Sequence, residues 1–137
     1  MADHVVTPAN VLKSNNGTVR NGTAGAAISA GDALYYDTAT GTYKLFDANG
    51  AGDAKNFAGI ALNSAAAGQP IALCEEDPDF TPGFPLDEGD VVIGSAMAGK
   101  LCPVADAASG HYVTVVGVGK GNNKLVLKKV ASGAAKL

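Results

Sequence analysis

Glycine or proline interrupts this chain about every ten residues, and the runs between are short and rich in Val, Ile, Leu, Tyr and Thr. Such runs are too short for a helix with a buried stripe and too β-branched to favour one, so they dictate an all-β fold. The candidate strands are Thr18–Arg20, Ala33–Tyr36, Thr42–Phe46, Phe57–Leu62, Ile71–Cys74, Val91–Ile93, Lys100–Cys102, His111–Val118 and Lys124–Val130. Gly-bearing connections at Asp37–Gly41 and Gly119–Asn123 read as hairpins. In KLVLKKV the alternation of aliphatics with lysines suits a sheet with one wet face. Helix is expected only as a turn or two near Ala51–Asn56 and Val104–Ala108.

The chain also overlays on itself. Shifting Thr23–Gly59 by 58 positions onto Thr81–Gly117 aligns Thr23 with Thr81 and Gly25 with Gly83, and Gly31-Asp32 with Gly89-Asp90. The same shift puts Gly41 on Gly99, Gly52 on Gly110 and Gly59 on Gly117. Repeated use of glycine at hairpin turns is the alternative explanation. A candidate internal repeat implies two halves, neither able to bury both faces of its own sheet, packed into a small β-sandwich or β-barrel.

At 137 residues the chain is one domain, and its 47% hydrophobic content is mostly small: aromatics are 6% and Trp is absent. A core this thin gains from a partner. The net charge of -3 argues against nucleic acid as a direct ligand, which needs clustered Lys and Arg. Cys74 and Cys102 lack metal or redox spacing and read as small buried residues rather than as a bonded pair. The opening MADHVVTPANVL lacks the pattern of a secretory signal, and no apolar stretch approaches the length of a membrane span; the expectation is a cytoplasmically made, soluble protein without a membrane partner. The Asn16 and Asn21 sequons then read as turns.

The residues that could carry chemistry are scattered. His4 and His111 have no neighbours at metal-ligand spacing, and serines 14, 29, 64, 95, 109 and 132 sit in turn contexts without a nucleophile elbow. The acidic stretch Glu75–Asp79, continued by Asp87–Asp90, lacks the ligand spacing of an EF-hand. It is expected as a solvated loop with Phe80 and Phe84 tucked inward, with a partner-facing patch and a metal site as lesser readings. No catalytic, cofactor-binding or metal-binding residue is assigned, and the chain is read as a non-enzyme.

Three segments in order, AAISAGDALYYDTATGTYKLFDA, NFAGIALNSAAAGQPIAL and GKLCPVADAASGHYVTVVGVGKGNNKLVLKKVASG, resemble the capsid decoration (cement) proteins of tailed bacteriophages. The shared features are an AGD turn before a strand, a GIALN segment running into AGQP, and an ADAASG segment before TVVGV. The resemblance covers about Ala24 to Gly133; CEEDPDFTPGFPLDEGD departs from it, being longer and more acidic. It implies a β-rich body bound to the outside of a capsid shell, with the major capsid protein as partner and self-association as a homotrimer in preference to a dimer. The implied location is the virion exterior, after assembly in the host cytoplasm.

On that reading residues 1–24 form an extended N-terminal arm and residues 25–137 the decoration domain. The arm is expected to be loose when free and to order on the shell, with Val5, Val6, Val11 and Leu12 as anchors and Lys13 and Arg20 meeting acidic surface. The loop residues Asn63, Ser64, Gly68, Gln69 and Pro70 are a turn by default and an oligomer contact otherwise. A phage tail or fibre accessory module and a carbohydrate-binding β domain are the competing functions.

Overall fold

The computed structural model describes residues 3–137. The fold is all-β, with strands β1 (Thr18–Thr23), β2 (Ala33–Asp37), β3 (Thr42–Leu45), β4 (Phe57–Ala61), β5 (Pro70–Phe80), β6 (Val91–Gly94), β7 (Leu101–Pro103), β8 (Tyr112–Gly121) and β9 (Lys124–Ala135). Each run expected to be extended contains a strand. The helical hints are single 3-10 turns at Gly52–Lys55 and Val104–Asp106, with a third turn at Pro8–Asn10.

The strands lie in the order β3-β2-β4-β5-β9-β8-β6-β7, with β1 added on β5, and the antiparallel sheet curls into a half-barrel. The order is palindromic about the β5–β9 pair, and this is the internal repeat. Adding 58 to the β2–β4 pairs Ala33↔Ile60, Leu34↔Gly59 and Tyr35↔Phe57 gives the observed β6–β8 pairs Val91↔Val118, Val92↔Gly117 and Ile93↔Val115. The register slips at the same place in both. The β2–β3 and β6–β7 hairpins correspond in the same way, Leu34↔Leu45 becoming Val92↔Pro103. Between the last two strands the second unit is six residues shorter, so Ala61↔Leu73 corresponds to Gly119↔Leu125.

The repeated glycines occupy repeated conformations. Gly31 and Gly89 have φ of 93° and 88°, and each is followed by an aspartate whose carboxylate accepts the N–H three residues back, from Ser29 at 2.8 Å and Asp87 at 3.0 Å. Gly59 and Gly117 are needed for close approach: a Cβ at Gly59 would lie 2.6 Å from the Cys74 carbonyl, and one at Gly117 would strike that of Val126. Gly25 and Gly83 are the exception, since only Gly83 has a positive φ.

Strand β5 belongs to both units. Its Pro70–Glu76 portion pairs with β1, and with β4 at Leu73 and Cys74, while Asp77 and Phe80 pair with β9. The segment expected to be a solvated acidic loop is therefore the junction of the fold. Asp77 is 1% exposed, and three donors meet it: the Ser14 hydroxyl and, at 2.9 Å, the Asp79 N–H bond one carboxylate oxygen, and the Ser14 N–H bonds the other at 2.6 Å. Phe80 and Phe84 are buried, as expected.

The N-terminal segment departs most from expectation. Residues 3–24 are packed against the body: His4 stacks on Phe84 at 4.1 Å, Thr7 donates to the Gly83 carbonyl, and Leu12 and Thr81 exchange backbone hydrogen bonds. Val11 is buried, Val6 packs on the core, and β1 contributes a full strand. Low apolar content predicts looseness; here backbone pairing and two valines, set against the Cβ-free surfaces of Gly31 and Gly83, hold the segment instead.

Candidate functional site

The six arm residues divide. Val6 and Val11 point into the core and are unavailable to a partner, and Arg20 pairs with Glu75 at 3.2 Å instead of offering a free charge. Val5, Leu12 and Lys13 are exposed. The arm is thus not one continuous contact surface.

The loop after β4 is held as a turn by its own side chains. The Asn63 carboxamide accepts the Ala72 N–H at 2.8 Å and donates toward the Pro70 carbonyl, and Gln69 accepts from the Ala66 N–H at 2.8 Å. Ser64 accepts from the Ala30 N–H, and Gly68 has φ 88°. These bonds account for the polar residues locally, while Gly68, Gln69 and Pro70 remain exposed at its tip.

Groups with reactive potential are subdued. Both cysteines are unbonded and buried, and burial pushes each thiol up to about 11, so neither is a thiolate at neutral pH. Burial against Phe84 also lowers the pKa of His4, against the opposing pull of Asp90, Asp106 and Asp3. Among the described residues, no cluster of three His, Cys, Asp or Glu side chains could hold a metal ion. A hollow of about 420 Å³ is lined by Asp3, Ser95, Cys102, Asp106 and His111, and Ser95 donates to Asp3 at 2.6 Å.

A second concavity, an open groove of about 770 Å³, runs beside β1 and is lined by Arg20, Tyr36, Tyr43, Asp53, Asn56 and Glu75. Tyr36 is 42% exposed and meets Tyr43 edge to face. Most of its charged groups are occupied: Arg20 by Glu75, and Asp53 by Thr38 at 2.6 Å.

One partly exposed surface is apolar, and the repeat locates it. In the first unit the outward-facing residues Ala33, Phe46, Phe57, Ile60 and Cys74 are buried in the main core together with Leu86, Val92, Leu101 and Leu125 from the interior of the second unit. The corresponding outer residues of the second unit are Val91, Val104, Val115, Val118 and Val126. Val104, Val118 and Val126 are 45%, 39% and 37% exposed. Val118 stands opposite both Val91 and Val126, so the three cross β6, β8 and β9 on one face. Val115 faces Val130, itself 61% exposed, in the next row. The register slip in β8 brings Val115 and Val118 to the same side although they are three apart. No sequence rule singled out these valines. The signal that finds Val91, Val104, Val115 and Val118 is the 58-residue shift applied to burial, and Val126 answers to Cys74 at a shift of 52.

The chain matches no family model and no curated protein.

Proposed function

We propose that the protein is a non-enzymatic structural interaction protein that decorates the outside of a tailed-phage capsid shell and stabilises it by bridging capsomers as a homo-oligomer. The observation that carries this reading is the partly exposed valine face, an apolar sheet surface on a chain whose thiols and several carboxylates serve the fold. Contiguous exposed apolar surface marks a protein contact. The three motifs that carry the family resemblance also coincide with framework elements: the Gly31-Asp32 turn, the end of β4, and the approach to β8. A ligand that binds the assembled shell and not its parts raises the free energy of disassembly by linkage.

The test is to mix purified protein with undecorated capsids and examine them by negative stain and by resistance to heat. Knobs on the shell and a raised disruption temperature are expected; binding to tails alone, or no binding, overturns the reading. A carbohydrate-binding role is favoured by the groove that presents Tyr36 beside Asn56 and Asp53. Glycan-array binding abolished by Tyr36→Ala would select that role instead.

A further inference from the structure

We infer that the hollow lined by Asp3, Ser95, Cys102, Asp106 and His111 is a binding site for a primary ammonium group on a short alkyl chain, carried either by a lysine of another protein or by a free amine. The inference goes beyond the proposed function and does not rest on it.

The hollow is the second unit's version of the groove beside β1. A shift of 58 carries Tyr36, Thr38 and Asp53 of that groove onto Gly94, Ala96 and His111, and all three line the hollow. The hairpins beside the two concavities correspond pair for pair, Tyr35↔Lys44 becoming Ile93↔Cys102. In the first unit Lys44 supplies an ammonium of its own, which meets Asp37 at 2.8 Å. In the second unit the same two positions hold Cys102 and Ser95, so the hairpin brings neither the cation nor its carboxylate. Carboxylates arrive from elsewhere, Asp3 from the N-terminal segment and Asp106 from the 3-10 turn after β7. No cation comes with them: the three ion pairs among the described residues involve neither Asp3 nor Asp106. Lys55 and Lys136 adjoin the lining residues Tyr112 and His111, but Lys55 holds its ammonium over the Tyr112 ring at 4.2 Å, and Lys136 pairs with His111 through its backbone.

Both carboxylates bear on one buried thiol. After burial itself, Asp3 and then Asp106 push Cys102 up to about 11, against the opposing bond from Ser95. Asp3 spends one oxygen on the Ser95 hydroxyl, and the Asp106 Oδ2 is buried without a hydrogen-bond donor among the described residues. A buried acceptor without a donor costs free energy that a ligand N–H recovers. Acceptors presented singly suit the diverging N–H groups of an ammonium, whereas the planar fork of a guanidinium is matched by paired oxygens. A metal ion fits less well, because no three His, Cys, Asp or Glu side chains among the described residues converge closely enough to hold one. Ile93, Met97 and Val113 offer apolar wall to a methylene stem. Since Asp3 lies on the N-terminal segment and Asp106 on the second unit, an ammonium held between them ties the segment to the body and stabilises the fold by linkage.

The experiment is an NMR titration of the full chain at low ionic strength with n-butylammonium, the free equivalent of a lysine end, and with 1-butanol as its uncharged counterpart. Saturable shifts are expected at Asp3, Ser95, Asp106 and His111, with a midpoint of about millimolar for so small a ligand and a melting temperature that rises with the amine. Asp106→Asn is expected to weaken binding about tenfold. Glu88→Gln, an exposed carboxylate outside the hollow, is expected to leave it unchanged. Melts without ligand establish that the variants are folded, and Asp3→Asn serves as the second variant. Equal binding of 1-butanol overturns the inference, as do shifts that never saturate or that spread over the acidic surface. Binding unchanged in both aspartate variants, or displacement of the amine by Ca²⁺, overturns it too. Nα-acetyl-lysine methylamide and 1,4-diaminobutane then separate the sources: tighter binding of the first assigns a lysine of another protein, and of the second a diffusible amine.

Discussion

The two units of this protein share strand order, register, bulge and most turn glycines, yet their outer faces have opposite fates. Phe57 is 2% exposed under the second unit, while Val118 and Val126 are 39% and 37% exposed. The backbone correspondence holds while the side chains differ with what covers them: rings where another sheet fills the space, valines where the cover is partial. The difference shows that a repeat fixes architecture through turns and close approaches, and leaves the faces free to specialise.

The largest test of the correspondence is deletion of residues 2–22. β1 is to the first unit what the end of β5 is to the second, and the deletion also removes Val6 and Val11 from the core. Because an exposed edge on β5 and a core defect arise together, the expected result is a loss of stability greater than any single substitution causes, seen as an unfolded or strongly destabilised chain in urea titration. A truncated protein with an unchanged midpoint would restore the N-terminal segment to the role of a free arm.

Next in size is the pair Phe57→Ala and Val115→Ala, which occupy the same position in the two units. Loss of the buried ring is expected to cost about 3–5 kcal/mol, against roughly 1 kcal/mol or less for the partly buried valine. Denaturant melts that give equal losses would contradict the difference in coverage.

Gly59→Ala and Gly117→Ala are expected to resemble each other, each costing about 1–3 kcal/mol, because each new methyl meets a partner-strand carbonyl. Gly121 is no neutral reference, since its φ of 98° strains any side chain. Unequal effects at Gly59 and Gly117, measured by thermal melts, would place the two in different environments.

The smallest effect concerns the junction. Burial alone would raise the pKa of Asp77, but the Ser14 and Asp79 donors outweigh it and hold the carboxyl below its usual range. A depressed folded value means that the stabilisation is present above the unfolded carboxyl pKa and is lost as pH falls through the folded one. Asp77→Asn is therefore expected to cost about 1–3 kcal/mol at neutral pH. The gap from wild type should begin to close below about pH 4. A gap that stays constant into strong acid would rule out the charged form as the source.

The strands were legible because their signals are local: β-branched runs bounded by glycine, and hairpin turns such as Asp37–Gly41. The repeat was legible because left-handed turns at Gly31, Gly41, Gly52 and their counterparts admit glycine with least strain. What failed depended on distant partners. Glu75–Asp79 looks like a solvated loop until Ser14, 63 residues away, supplies the donors that bury Asp77. Residues 3–24 look mobile until Gly83 and Thr81 offer backbone partners. The valine face is invisible to composition because an exposed valine and a buried one are spelled alike.

The sharing of β5 between the units also bears on how the chain is made. Synthesis from the amino terminus releases every strand of the first unit once Phe80 has emerged, whereas the second unit cannot close until β9 has followed. For that interval the nascent protein carries Phe46, Phe57 and Ile60 on an uncovered sheet, with the end of β5 awaiting its partner.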